Sequence, residues 1–442
     1  MTNVRQSQQV NAYFRSEDTY ASIGKESQAA GALSHIGLLD TFDPRMLDHQ
    51  YAAVSTVGYS VAPHVLKGAT NVMLPLKIGC WGDGWKTLLG RCIGQTTINS
   101  ALRPAFLRPD IQTVAIVAEE QLASTFQCSL ASGVAFNKAE LELDYTTNAP
   151  ATINFDATAY YVVDRDANAS RTTARDFTTG DSLFIQSNFS SQTIPSEPTT
   201  DPILPADVTI KYATTATNGV TITNSAEANT YYEVGERFLQ AYTPAGALDS
   251  NFGTSGVYDL TDSSFNTIAN INGDIDGDTN YTFAEGSASG NTVNLLKGVY
   301  KNGSTIKLAD SMTDWPFVKT AKLTIDNQHI PLPGVATGRD SGSTKKILQN
   351  NDVARGESII TLEITSTAKD ETFYDQMVAG TELPLVRLDF GTNGSIALTN
   401  GRIMTRTAGY TAGTEVTETV TMQFYGAGDY TNYSKYAISG DF

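Results

Sequence analysis

The residues best placed to do chemistry in this 442-residue chain are oxygen donors at alternate positions near residue 275. The run Asn270-Ile-Asn-Gly-Asp-Ile-Asp-Gly-Asp-Thr-Asn-Tyr281 sets Asn272, Asp274, Asp276 and Asp278 two residues apart, with Gly273 and Gly277 free to curl the backbone. Hard oxygens on a tight loop are what Ca²⁺ selects, or Mg²⁺ with fewer protein ligands. The run fits the first, third, fifth and sixth positions of a helical-hand loop, but Phe283 stands at the twelfth, where a bidentate Glu is needed. The competing reading is a solvated acidic turn, and nothing in the chain requires a cofactor.

No other cluster has catalytic spacing. His35, His49, His64 and His329 form neither an HExxH nor an i, i+3 pair. The segment 286–290, Gly-Ser-Ala-Ser-Gly, puts alanine where a hydrolase elbow needs its nucleophile. Phosphate-binding and dinucleotide fingerprints are missing, so a non-enzymatic role is expected. A carboxylate-pair hydrolase is the enzymatic rival, since such pairs need no fixed spacing. Cys80, Cys92 and Cys128 make no CxxC and cannot all pair, as expected of buried free thiols formed in a reducing cytoplasm.

Charge constrains the partners. The net charge is −17, and residues 165–300 hold 6 basic against 16 acidic side chains. Such a block repels phosphate, so DNA binding is disfavoured. It also suits high salt, which screens self-repulsion and points to a salt-loving, archaeal setting. A basic stretch at 338–351 carries Arg339, Lys345 and Lys346. Fourteen polar residues exceed a simple hairpin loop, and an acidic chain offers carboxylate partners in its own copies. These three cations are therefore expected to meet carboxylates of a neighbouring copy.

The elements that must position these groups are mainly strands. Strict alternation marks 113–120, 124–133, 139–147, 151–163, 355–370, 385–390, 395–398 and 414–429. Residues 72–94 predict a strand, a tight turn and a short helix, 371–380 a short helix stopped by Gly380, and 38–58 a turn at Asp43-Pro44 followed by a short helix. Charged residues are only 17% and Gly numbers 36, which fits a β-rich protein with many turns. No stretch of eighteen apolar residues predicts a membrane span, and the polar first residues do not read as a secretory signal. The expected organisation is an arm at 1–37, a first β-half at 38–165, an inserted acidic β-rich outer module at 166–310 and a second β-half at 311–442. Val318-Lys-Thr-Ala-Lys-Leu-Thr-Ile-Asp326 echoes Asn137-Lys-Ala-Glu-Leu-Glu-Leu-Asp-Tyr145, which suggests a duplication.

The runs 317–327, 355–380 (with Phe373-Tyr374) and 383–390, with the basic loop between the first two, resemble the tail tube proteins of long-tailed double-stranded DNA viruses. The stretches 139–145 and 151–163 resemble that family's earlier strand pair. The resemblance covers about 110–165 and 315–430 and leaves out the arm and the insert. It implies a β-sandwich or barrel unit with short flanking helices, duplicated here. It further implies homo-oligomeric rings, trimeric with pseudo-sixfold symmetry, stacked into a hollow tube in a virion tail, with Arg339, Lys345 and Lys346 as the expected ring-stacking interface. Viral DNA would pass the lumen without specific binding, and the neighbours would be terminator, baseplate and tape-measure proteins. The rival from another class is a secreted or surface β-sandwich that binds calcium or carbohydrate.

Overall fold

Two long strands, each shared between two sheets, organise the chain in a computed structural model. The structure describes residues 10–17, 34–42, 46–54, 64–93, 113–122, 125–159, 161–164, 176–177, 192–193, 198–234, 238–243, 247–260, 262–265, 267–275, 281–285, 294–296, 298–309, 311–332, 347–349, 352–354, 356–410, 413, 415–425 and 437–441. None of its helices is long and apolar enough to cross a membrane, among the described residues.

The first half comprises β1 (Val10–Ser16), β2 (Ser34–His35), β3 (Leu38–Phe42), β4 (Met46–Val54), β5 (His64–Gly79), α1 (Gly84–Cys92), β6 (Val114–Leu122), β7 (Thr125–Asp144), β8 (Thr152–Thr158) and β9 (Tyr161–Asp164). Every pairing is antiparallel. One sheet runs β2-β1-β6-β7-β9 and uses the beginning of β7. The other runs β5-β8-β7 and uses its end, with β3 and β4 in turn along the far side of β5. Gly133, at φ +64°, and a bulge between Phe136 and Lys138 bend β7 where it passes from one sheet to the other.

After β10 (Thr209–Ala213) the chain leaves to build a body with its own core. Strands 216–224, 281–285, 294–295 and 305–309 form one antiparallel sheet, and 231–234, 238–242, 257–259 and 298–301 another. They enclose Val220, Ile222, Leu239, Ile271 of α2 (Ile268–Ile275) and Leu308. At the centre Phe252 meets Tyr232, Tyr258 and Tyr281 edge-on, a geometry worth about 0.5–1.5 kcal/mol per pair beyond burial. A small apolar seam of Ala213, Leu296, Ala309, Leu385 and Ala397 seats this body on the rest.

The second half comprises β11 (Thr313–Asp314), β12 (Val318–Asp326), β13 (Ile359–Thr367), α3 (Thr372–Ala379), β14 (Glu382–Asp389), β15 (Ser395–Gly409), β16 (Thr417–Phe424) and β17 (Ile438–Asp441). Its sheets run β11-β10-β14-β15-β17 and β12-β13-β16-β15. This is the pairing diagram of the first half drawn again, with β12 in the place of β3 and β4. The match holds residue by residue. The bulge between Leu39 and Thr41 reappears between Val318 and Thr320, and that at Phe136/Lys138 reappears at Ile403/Thr405. Ile36 donates its N–H to Ala12 as Trp315 does to Ile210, and Cys80 to Ala151 as Ala368 does to Val416. Trp85 and Phe373, second in their helices, are the matching core anchors; Trp85 packs against Phe390, while Phe373 stacks on Trp315 at 4.1 Å. Gly380 ends α3 in the left-handed region, as its position predicts.

Four local readings change. The helix expected within 38–58 is strand β4, because pairing with β5 overrides a weak local preference; Asp43-Pro44 lies outside the described residues. The strands expected at 124–133 and 139–147 are one strand, β7. The strand expected at 151–163 is two, β8 and β9, which enter different sheets. The echo between 137–145 and 318–326 is not the duplication: by connectivity β12 matches β3 and β4, and the end of β7 matches the end of β15. The two echoing segments are instead neighbours in one sheet.

Candidate functional site

The end of β7 and β12 join the two halves into a continuous sheet, β5-β8-β7-β12-β13-β16-β15. The register places Leu323 opposite Leu141, with Ala321 opposite Leu143 and Ile325 opposite Ala139. Because both strands read Ala-x-Leu-x-Leu/Ile-Asp, antiparallel pairing centres a local twofold on the two leucines, which explains the echo. All six side chains are buried on one face. On the other face Lys322 bridges Glu140 at 3.1 Å and Glu142 at 3.5 Å, while Lys138 reaches Glu140 at 2.7 Å. Burial alone would raise the Glu140 carboxyl; the two lysines, hydrogen-bonded to it, together outweigh burial and hold it below its ordinary value. Exposed pairs are worth about 0–1 kcal/mol each, so their main effect is on register.

Asn327 locks the end of this joint. It is buried, and its Nδ2 donates to the main-chain oxygens of Cys92 (2.8 Å) and Phe136 (3.0 Å). Its Oδ1 accepts from Ser358 Oγ at 2.7 Å, and its own N–H donates to Asn137. One amide thus ties together the last helical residue of α1, the bulge of β7 and the exit of β12.

Among the described residues the sheet is open at both ends. From Ile403 to Gly409, β15 pairs with β16 alone, whereas the matching part of β7 has a strand on each side. At the opposite end β3 and β4 pair with β5 alone. Met404 (52% exposed) and Tyr410 (75% exposed) mark the first edge. Arg406 on β15 turns inward instead. Its guanidinium meets Glu418 at 2.9 Å and Glu371 at 3.2 Å and lies over the Tyr374 ring. Inward charge is a known device for keeping a free edge from indiscriminate pairing.

The residues singled out by spacing fall elsewhere. Asn272 and Asp274 lie on α2, where positions two apart point about 200° apart around the axis. The Asp274 carboxylate accepts from the Tyr258 hydroxyl; Asp276 and Asp278 lie outside the described residues. No cluster of three His, Cys, Asp or Glu suited to a metal occurs among the described residues. Arg339, Lys345 and Lys346 also lie outside them. The strand that follows, 347–349, pairs with β9, so the excursion that leaves β12 returns on the other half of the chain. Cys80 and Cys92 are buried free thiols; desolvation raises both, Cys92 to about 12, which makes them poor nucleophiles. Cys128 lies on β7, with its side chain outside what is described.

Sequence reasoning missed the open edge at 403–410 and the Arg406–Glu418 pair. The signal available was the regular alternation on β15, but a strand pattern does not say whether its second side is occupied. Among known proteins, no family model and no curated protein matches the chain. Among solved structures it is similar to a chain described as the tail of an empty GTA particle with C6 symmetry, at 12% identity over 26% of this chain and 83% of that one, with a TM-score of 0.20.

Proposed function

We propose that this chain is a structural subunit that closes into rings, which stack as the hollow tail tube of a virus-like particle. The observation that carries the reading is the duplicated half with an internal strand joint whose two counterpart edges, at opposite ends of the sheet, each have a strand on one side alone among the described residues. A unit joined head to tail in this way generates a ring when its rotation closes. Three two-half chains would make a ring of six like units, with pseudo-sixfold symmetry. The resemblance of 317–327 and 355–390 to tail tube proteins supplies the kind of ring. It also supplies the neighbours at its ends (terminator, baseplate and tape-measure proteins) and DNA as the passenger. The net charge of −17 supports a lumen that does not hold DNA, because retention needs Lys and Arg contacts to phosphate. Nothing in this role requires catalysis.

Electron microscopy of the purified chain across a salt series tests the reading. Rings or tubes with three or six lobes are the expected result. Isolated monomers at every salt and protein concentration would overturn it.

A further inference from the structure

We infer that successive copies join by laying the free edge of β15 antiparallel against β3 and β4 of the next copy, in the register of the internal β7–β12 joint. The inference rests on the ring reading for closure, while the pairing itself rests on the residue-level match between halves.

The match follows from shared partners. Lys138 and Ala139 pair with Asp156 and Phe155 on β8; Thr405 and Arg406 pair with Thr421 and Val420 on β16, each just beyond the same bulge. Counting on along the strand, Leu143 corresponds to Tyr410. On the other side, Ala321 pairs with Ile364 as Phe42 pairs with Leu76, and Asp326 pairs with Ile359 as Asp48 pairs with Asn71. β4 therefore stands where the end of β12 stands, with an extra residue in the connection from β3.

Internally Leu143 faces Ala321 and Lys138 faces Asp326. Carried to the open edges, Tyr410 of one copy faces Phe42 of the next, Arg406 faces Leu47 and Thr405 faces Asp48. Burial supports this assignment. Leu143 is 2% exposed beside its neighbour strand, while Tyr410, at the matching position of the free edge, is 75% exposed. An aromatic on a bare strand edge and a half-buried Phe42 at the other end are suited to a cross-strand aromatic pair. The occupant is a second copy, because the joint already exists once inside the chain and each copy offers both of its halves.

The joints would alternate in kind. Ala139 and Ile153 are buried core residues at the internal one, and at the matching positions the intermolecular one carries the ion pair Arg406–Glu418. Each chain thus brings an apolar joint already made and a polar-backed joint still to be made.

The test is disulfide trapping in the full chain. Tyr410→Cys combined with Phe42→Cys should, under mild oxidation, lose most of its monomer band to a covalent ladder that ends at three chains. With Cys128→Ser in every variant, each single cysteine variant should run as a monomer, since buried Cys80 and Cys92 are poor partners. Tyr410→Cys with Thr41→Cys puts the second thiol on the opposite face and should not link, because bridging requires Cβ atoms about 3.5–4.5 Å apart. Tyr410→Lys should lower ring yield without changing the unfolding profile. Rings formed by the wild type, together with no trapping in the 410/42 cysteine variant and no loss of ring yield in Tyr410→Lys, would overturn the pairing and leave the ring reading intact. Trapped chains that never form rings would retain the pairing and overturn the ring. A linked pair at 410/41 but not at 410/42 would show that the register is wrong.

Discussion

Replacing Asn327 tests whether one buried amide holds the two halves together. Asn327→Ala removes the donors to the Cys92 and Phe136 carbonyls and the acceptor of the Ser358 hydroxyl. The serine is part-buried and can turn to water, so it is left out of the estimate. The two carbonyls cannot: one is the terminal carbonyl of α1 and the other lies at the β7 bulge, both beneath the joint. An unsatisfied buried group costs about 1–3 kcal/mol, which gives about 2–6 kcal/mol for the pair. Asn327→Asp keeps the acceptor and the volume but aims a carboxylate at two carbonyl oxygens, so its ionised form should be at least as damaging.

The two variants separate with pH. The new Asp would have its folded-state pKa raised, so its penalty is full at neutral pH and shrinks, relative to wild type, as the group protonates. Asn327→Ala has no such dependence. Urea unfolding followed by tryptophan fluorescence is the assay. The three tryptophans, Trp81, Trp85 and Trp315, all lie outside the separately cored 216–309 body, so their signal reports the duplicated part alone. This matters because a chain with two cores does not unfold as one two-state unit. If Asn327→Ala unfolds within about 0.5 kcal/mol of wild type, below the cost of one unmade hydrogen bond, the amide does not lock the joint.

Further expectations concern the edge, the joint and the insert. Glu418→Leu alone should destabilise the duplicated body by about 1–3 kcal/mol, because Arg406 keeps only the exposed Glu371 as its carboxylate partner, whereas Arg406→Leu/Glu418→Leu should recover most of it; equal losses in urea midpoint for both variants would count against an inward ion pair. The folded-state pKa of Glu140 is depressed, so its contribution is present above the unfolded value, about 4.3, and is lost as pH falls through the folded one. Acid titration of Glu140→Gln should therefore show a shallower loss of stability below that pH than wild type, and superimposable curves would remove the lysine cluster from the account. Deleting 216–309 and closing β10 to β11 with a short Gly/Ser linker should leave ring assembly intact and lower stability modestly, by uncovering Leu385 and Ala397. A soluble, folded deletion that forms no rings would place the insert in the wall.

Individual strands were legible because burial follows alternation. On β13 and β16 every second side chain is buried, as the sequence pattern requires. The strand, turn and helix at 72–94 were legible too, with the break at Gly82 and α1 starting at Gly84. What alternation cannot show is where one strand changes sheets. In β7 the change occurs at Gly133 and a bulge, within an unbroken strand, and sequence reading placed a connection there. The duplication left almost no trace in residue identities: Trp85 matches Phe373, Leu143 matches Tyr410 and Ile153 matches Glu418. Its record is the position of bulges and main-chain hydrogen bonds, which many side chains can satisfy. The echo that did catch the eye came from two strands meeting across a local twofold, where like patterns pair well. Spacing was misleading at Asn272 and Asp274, where alternate donors suggest a loop but the backbone is helical.

The separately cored body enters the chain between β10 and β11, whose ends lie side by side with Tyr212 opposite Thr313. In the first half β1 and β2 meet at the same place, with Phe14 opposite Ser34, and only seventeen residues separate Ser16 from Ser34. The slot is therefore a port: material whose two ends meet can be spliced in there without disturbing a strand pairing elsewhere. Only the second half uses it for a large body. A ring of three chains would then offer two different counts to its surroundings. A partner gripping the wall would meet six like surfaces, and one gripping the spliced bodies would meet three. Such a ring would match a sixfold component through its wall and a threefold one through the spliced bodies, with a single gene product serving both.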